Sequence, residues 1–211
     1  MYISTDCYYD IYLKDKESDA VMAEILKLRS EIGRLKYKLE SPTYLSDSAG
    51  YSMEDAELRA YRGYLYAAYD RYRALTGESA EDERELSAAE FSARLGSVAQ
   101  LTLTLGTCYQ YKYQLELSGG RAYRIAHHVG GSESRTELPF SETAEQLRAL
   151  NIGEWDEYYS LEKYGFSQNE PVRWKLRVDF CASQPFRMFE GVGVFPYNFN
   201  GLLNILGADL Y

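Results

Sequence analysis

Cysteine is scarce in this chain. Cys7, Cys108 and Cys181 are scattered, odd in number and never arranged as CxxC. Histidine is scarcer still, with only His127 and His128. A structural zinc site needs four well-spaced ligands, so no metal or other cofactor is expected and the cysteines read as buried free thiols. No apolar run approaches the roughly 20 residues that span a bilayer. The opening MYISTDCYYDIYLKDKES has no basic stretch leading into an apolar one, so a cytoplasmic chain with no membrane partner is expected. No GxGxxG follows a strand and opens a helix, and no Walker A or GxSxG motif occurs. Positive charge is also short: 23 Lys and Arg stand against 32 Asp and Glu, a net −9. Such a surface repels nucleic acid. The expected partner is therefore a protein with a basic surface, including one that normally holds nucleic acid, with no direct nucleic-acid contact.

Tyrosine is what the chain has in excess: 21, against 8 Phe and 2 Trp. An apolar ring with a polar tip suits half-buried positions and interfaces alike. Capping of a thin core and formation of a contact surface both remain open.

Residues 1–17 are polar and tyrosine-rich without clear periodicity, and are expected to form a loop with a short turn. The segment 18–40 predicts a helix. Val21, Ile25, Leu28, Ile32, Leu35 and Leu39 step by four and three along a heptad seam. Ser18 can cap it and Asp19 favours the positive end of its dipole. Gly33 costs it about 1 kcal/mol relative to alanine. Pro42 ends it, and 41–51 reads as a linker. A second helix is expected over 53–76, capped by Ser52 and closed by Gly77, with a seam of Leu58, Tyr61, Leu65, Ala68, Tyr72 and Leu75. Two such helices should fold back as an antiparallel hairpin.

Two surfaces stand out as partner-binding candidates. Arg62, Tyr66, Tyr69 and Arg73 form a second stripe on the second helix, and Tyr and Arg are enriched at binding hot spots. Packing of this stripe on another element is the bland alternative. A third helix is expected over 80–95. Glu81, Asp82 and Glu83 at its start suit either a well-capped solvated helix or an acidic knob for a basic partner.

From Ser97 the period falls to two. Leu101, Leu103 and Leu105 alternate with threonines; Tyr109, Tyr111, Tyr113, Leu115 and Leu117 share a face; Tyr123, Ile125, His127 and Val129 share another. Gly119-Gly120 is a hairpin signal, and Gly130-Gly131 turns again towards a short fourth strand. A helix is expected from Ser141, and the apolar bulk of Trp155, Tyr158, Tyr159 and Leu161 would plug one end of the sheet. VRWKLRVDF alternates strictly, a turn follows at Gln184-Pro185, a second apolar run spans 186–195, and NFNGLLNILG closes as a helix. The fold expected is α+β: an N-terminal antiparallel helical hairpin plus a third helix (1–96), then an antiparallel β-meander packed by helices (97–211).

Catalytic constellations are thin. Cys108 with His128 would need a particular hairpin register to act as nucleophile and base. His127 and His128 are adjacent on a strand, so they point to opposite faces. Glu154, Asp156 and Glu157 could form an acid/base pair, though acids on a helix face are usually solvated.

The pattern of GG-turned strands, an EWDEYY segment read as a helix, and a W-x-L-x-V ending that runs into P-Y-N-F resembles a family of small uncharacterised proteins from gut Firmicutes. The resemblance covers about residues 98–207 and rests on Trp155, Trp174, Pro196, Asn198 and Phe199. It implies an architecture and no activity. The function expected from the residues is a non-catalytic protein-binding protein, of the kind encoded by phages and mobile elements as inhibitors of a nucleic-acid-processing complex such as a CRISPR effector. A structural module that self-associates as a homodimer through its heptad seams, and an enzyme with a site assembled by the fold, are the alternatives.

Overall fold

A computed structural model describes residues 3–45, 53–108, 110–127, 131–181 and 184–208, with only the backbone described at 44 and 45. The fold is α+β, and the chain divides into two compact units, Met1–Glu83 and Arg84–Tyr211.

The first unit is helical: α1 (Thr5–Tyr12), α2 (Ser18–Glu40), the short α3 (Pro42–Leu45) and α4 (Met53–Thr76). Helices α2 and α4 form the expected hairpin. Lys38 near the end of α2 pairs with Glu54 at the start of α4 (2.6 Å), and Arg29 meets Tyr69 further along, so the two run antiparallel. The α2 seam is buried as its spacing requires, with Ile32 half-buried. Ser18 does not cap α2; Glu17 occupies the cap position without a side-chain bond. Ser52, the expected cap of α4, lies outside the described residues.

Residues 1–17 depart from the expected loop. Ser4 accepts a hydrogen bond from the Cys7 N–H (3.2 Å) and starts α1. The Tyr8 ring then stacks on Tyr64 of α4 at 3.9 Å and 3°. The packing of α1 explains why the buried arc of α4 is wider than a heptad seam: Leu58, Arg62, Tyr64, Leu65, Ala68 and Tyr69 span about half the circumference at 100° per residue. Burial and a hydrogen bond donated to Glu24 push the Tyr8 hydroxyl above the usual tyrosine range. In the unfolded chain Tyr8 ionises near pH 10. Because the folded state holds its proton more tightly, stability is fully present below that pH and falls as the pH rises past it. Alkaline unfolding followed by circular dichroism is expected to show this loss, and Tyr8→Phe to remove part of its pH dependence.

The second unit opens with α5 (Glu83–Arg94) and a 3-10 turn, Leu95–Ser97. Strands β1 (Val98–Gly106), β2 (Tyr111–Ser118), β3 (Arg121–His127) and β4 (Glu133–Leu138) form the meander. Then come α6 (Phe140–Ala149), β5 (Tyr158–Ser160), β6 (Arg173–Phe180), β7 (Arg187–Val192) and α7 (Phe199–Leu206). The sheet order is β4-β3-β2-β1-β6-β7-β5, antiparallel throughout except that β5 runs parallel to β7. Gly119 and Gly120, both at positive φ, make the two-residue turn between the paired Ser118 and Arg121.

Alternation decides which face is dry. Leu103 lies between Tyr113 and Leu176, and Leu105 between Tyr111 and Trp174. Phe91 of α5, Leu147 of α6 and Leu202 of α7 join this core. The third helix thus belongs to the sheet unit, and the expected boundary at Gly96 moves to Glu83/Arg84. The cause is Phe91, whose ring meets Phe180 and Phe189 edge-on at 5.7 and 6.0 Å. The Tyr123, Ile125 and His127 face is opposite the helix-covered one, although Ile125 is itself buried: these residues pair across the ladder with Glu116, Gln114 and Lys112, while Ala122 faces the core. EWDEYY is not a helix. It forms the end of a 3-10 turn (Ile152–Glu154) and the start of β5, burying Trp155 and Tyr159 and leaving Tyr158 exposed.

Gly207 ends α7 in the left-handed region (φ 59°), where an added Cβ would come within 2.6 Å of the Arg124 guanidinium. Gly207→Ala is expected to lower stability by about 1 kcal/mol in urea unfolding.

Candidate functional site

The structure splits the tyrosine-arginine stripe lengthwise. Arg62 and Tyr69 lie seven residues apart, nearly eclipsed on α4, and both are buried. Tyr66 and Arg73 are eclipsed in the same way about 40° further round, and both are exposed. The edge of the buried arc runs between the two pairs. The stripe is therefore half core and half surface: packing accounts for Arg62 and Tyr69 and leaves Tyr66 and Arg73 as the surface candidates.

The buried half is structural. Arg29 donates from Nε to the Tyr69 hydroxyl (3.2 Å), lies over the Tyr69 ring at 5.5 Å, and donates from Nη2 to the Ala80 carbonyl (2.7 Å). The exposed half is anchored at its base. Arg73 bonds Glu81 at 3.0 Å and lies 3.6 Å from Asp70. Residues 77–81 thus fold back along the end of α4, with the Gly77 N–H donating to the Arg73 carbonyl (2.8 Å).

Glu81 and Asp82 precede α5 and do not form its first turn, since that helix begins at Glu83. Glu81 is half-buried and held by Arg73; Asp82 and Glu83 are exposed. What the helical unit presents here is Tyr66, 57% exposed, on the face that also carries Asp70 and Arg73. Arg73→Ala is expected to cost under about 1 kcal/mol in thermal unfolding, because its ion pairs are solvated.

In the sheet unit a cavity of about 560 Å³ lies beside α6, lined among others by Val98, Leu117, Phe140, Leu147, Arg148 and Cys181. Its walls are largely apolar. Two of the three acids flagged for acid/base work serve as ion-pair partners: Asp156 bonds Arg84 and Lys163 (2.9 Å to Lys163), and Glu157 lies 3.7 Å from Arg187. His127 shares a 2.6 Å hydrogen bond with Gln114 Oε1 through Nε2, and its Nδ1 is 3.4 Å from Glu133. His128 lies outside the described residues. All three cysteines are exposed, contrary to the expectation of buried thiols. Among the described residues no three His, Cys, Asp or Glu side chains gather as they would around a metal ion. No described helix is long and apolar enough to cross a membrane.

Trp155, Trp174, Asn198 and Phe199 converge in the core. Trp155 Nε1 donates to Asn198 Oδ1 (2.9 Å), and the Trp174 ring lies 6.2 Å from Trp155 and 4.9 Å from Phe199. They act as packing residues of the joint between β6, α7 and the Trp155 loop. No protein-family model, no curated protein and no solved structure matches this chain.

Proposed function

We propose that the chain is a non-catalytic protein-binding protein that docks on the basic surface of a protein partner, without direct contact to nucleic acid. The observation that carries this reading is Tyr66, a large aromatic ring 57% exposed on the face of α4 that also carries Arg73, the residue that anchors Glu81 of the acid-rich segment 78–83. The net charge of −9 favours approach to a positive surface and disfavours nucleic acid. A groove that normally holds nucleic acid fits this chemistry. An inhibitor of a host nucleic-acid-processing complex such as a CRISPR effector, encoded by a phage or mobile element and acting in the cytoplasm, is the specific version proposed.

The test is affinity capture from the native host's lysate, with the wild-type chain and a Tyr66→Ala, Asp82→Lys variant as baits. Recovery of one stoichiometric complex by the wild type and its loss with the variant is the expected result. Equal capture by both baits would reject Tyr66 and Asp82 as the docking residues, and capture by neither would reject partner binding in that host. Self-association through the heptad seams is disfavoured, because the α2 seam is largely buried within one chain, as are Leu58, Leu65 and Ala68 of the α4 seam, although Leu75 at its end is exposed. Light scattering is expected to report a monomer.

A further inference from the structure

We infer that a tyrosine-lined pocket on the helical unit receives the guanidinium of an arginine side chain from the partner. The pocket measures about 270 Å³ and sits where α1, α2 and α4 meet. That is below the roughly 300–1,000 Å³ of sites for drug-sized ligands and suits a single side chain. Tyr8 and Tyr64 stack at its base, and Tyr12 and Tyr61 stand beside them. The ring centroids are 4.8 Å apart for Tyr8 and Tyr12, and 6.0 Å apart for Tyr61 and Tyr64. Glu24 and Glu31 add two carboxylates to the lining, Glu24 accepting from the Tyr8 hydroxyl and Glu31 from Arg34 Nε at 2.9 Å.

Ring faces carry negative potential and attract cations, arginine more often than lysine. Carboxylates complement the fork of guanidinium donors. Rings and carboxylates around one small space therefore select a flat cation over a neutral or anionic group. A second observation points the same way, for the protein already holds a cation there. Lys27 lies with Nζ 6.0 Å over the Tyr12 ring and 2.9 Å from Glu24. Its side chain is 63% exposed, so it sits at the mouth and can swing out. The site is thus in use by an internal ammonium that an incoming guanidinium would displace.

This inference rests on the partner-binding reading for its biological ligand, yet it is tested without any partner. The whole chain is titrated with acetyl-arginine amide, and separately with acetyl-citrulline amide, the neutral near-isostere. Tyrosine ring signals are followed by NMR. Saturable shifts of Tyr12 and Tyr61 with arginine, and none with citrulline, are expected. Tyr12→Ala should weaken binding about fivefold, and Lys27→Met, which removes the competing charge, should tighten it about threefold. Tyr12 is 45% exposed and Lys27 lies on the surface, so both variants should fold. Equal response to citrulline, shifts that never saturate, or a Lys27→Met chain that binds no more tightly would each overturn the inference. A failure here leaves docking through Tyr66 standing, whereas failed capture by the wild-type bait would leave an arginine-binding pocket without its partner.

Discussion

Trp174→Ala is expected to remove about 3–5 kcal/mol from the stability of the sheet unit, enough to leave little of it folded at 37 °C. Trp174 is fully buried, and its Nε1 donates to the Val194 carbonyl at 2.7 Å. Truncation would open a large cavity and orphan that carbonyl. The same neighbourhood should reject added bulk. A Cβ on Gly191, which pairs with Trp174 across the ladder, would come within 2.6 Å of the Trp174 ring and 2.8 Å of the Val194 oxygen. Neither can give way, so Gly191→Ala should cost about 1–3 kcal/mol by overpacking. Urea unfolding followed by tryptophan fluorescence, from Trp155 alone in Trp174→Ala and from both tryptophans in Gly191→Ala, measures both. A midpoint within error of wild type for Trp174→Ala would show that the core is organised around another residue.

Phe91→Ala is the second large effect, about 3–5 kcal/mol, and it tests where the chain divides. Phe91 is 1% exposed against Phe180 and Phe189. Amide hydrogen exchange should therefore show lost protection along β1, β6 and β7 while α2 and α4 keep theirs. Lost protection in α2 and α4 with the sheet unchanged would return the third helix to the helical unit.

Long periodic segments were legible in the sequence. The α2 seam and the strict alternation of β6 each repeat one spacing over many residues, and a repeated spacing admits one face only. The Gly119-Gly120 turn was legible because positive φ at two successive positions favours glycine. Shorter elements were not. Helix α1 has barely two turns, and its stability comes from Tyr8 on Tyr64, fifty-six residues away in the chain. Trp155 and Tyr159 read as a helical plug because spacings of three and four also arise in a turn that leads into a short edge strand. Phe91 could not declare its allegiance, since its helix is amphipathic in either setting.

The candidate surfaces show the same limit. Helical geometry correctly placed Arg62, Tyr66, Tyr69 and Arg73 on one stripe, but the edge of burial depends on how many helices pack against α4. With α1 present, that edge passes through the stripe. The tyrosine pocket was hidden for the same reason, because Tyr8 and Tyr12 join Tyr61 and Tyr64 only once α1 exists. Composition had flagged tyrosine as the unusual ingredient and left open which rings cap the core and which meet a partner.

Competition for the captured complex tests the proposed docking most directly. The affinity of that complex for its nucleic acid would be measured at increasing concentrations of the chain. If the acidic chain occupies the basic groove, the apparent affinity falls steadily, and the chain with Tyr66→Ala and Asp82→Lys leaves it unchanged. Simultaneous binding of chain and nucleic acid, with neither weakening the other, would contradict it.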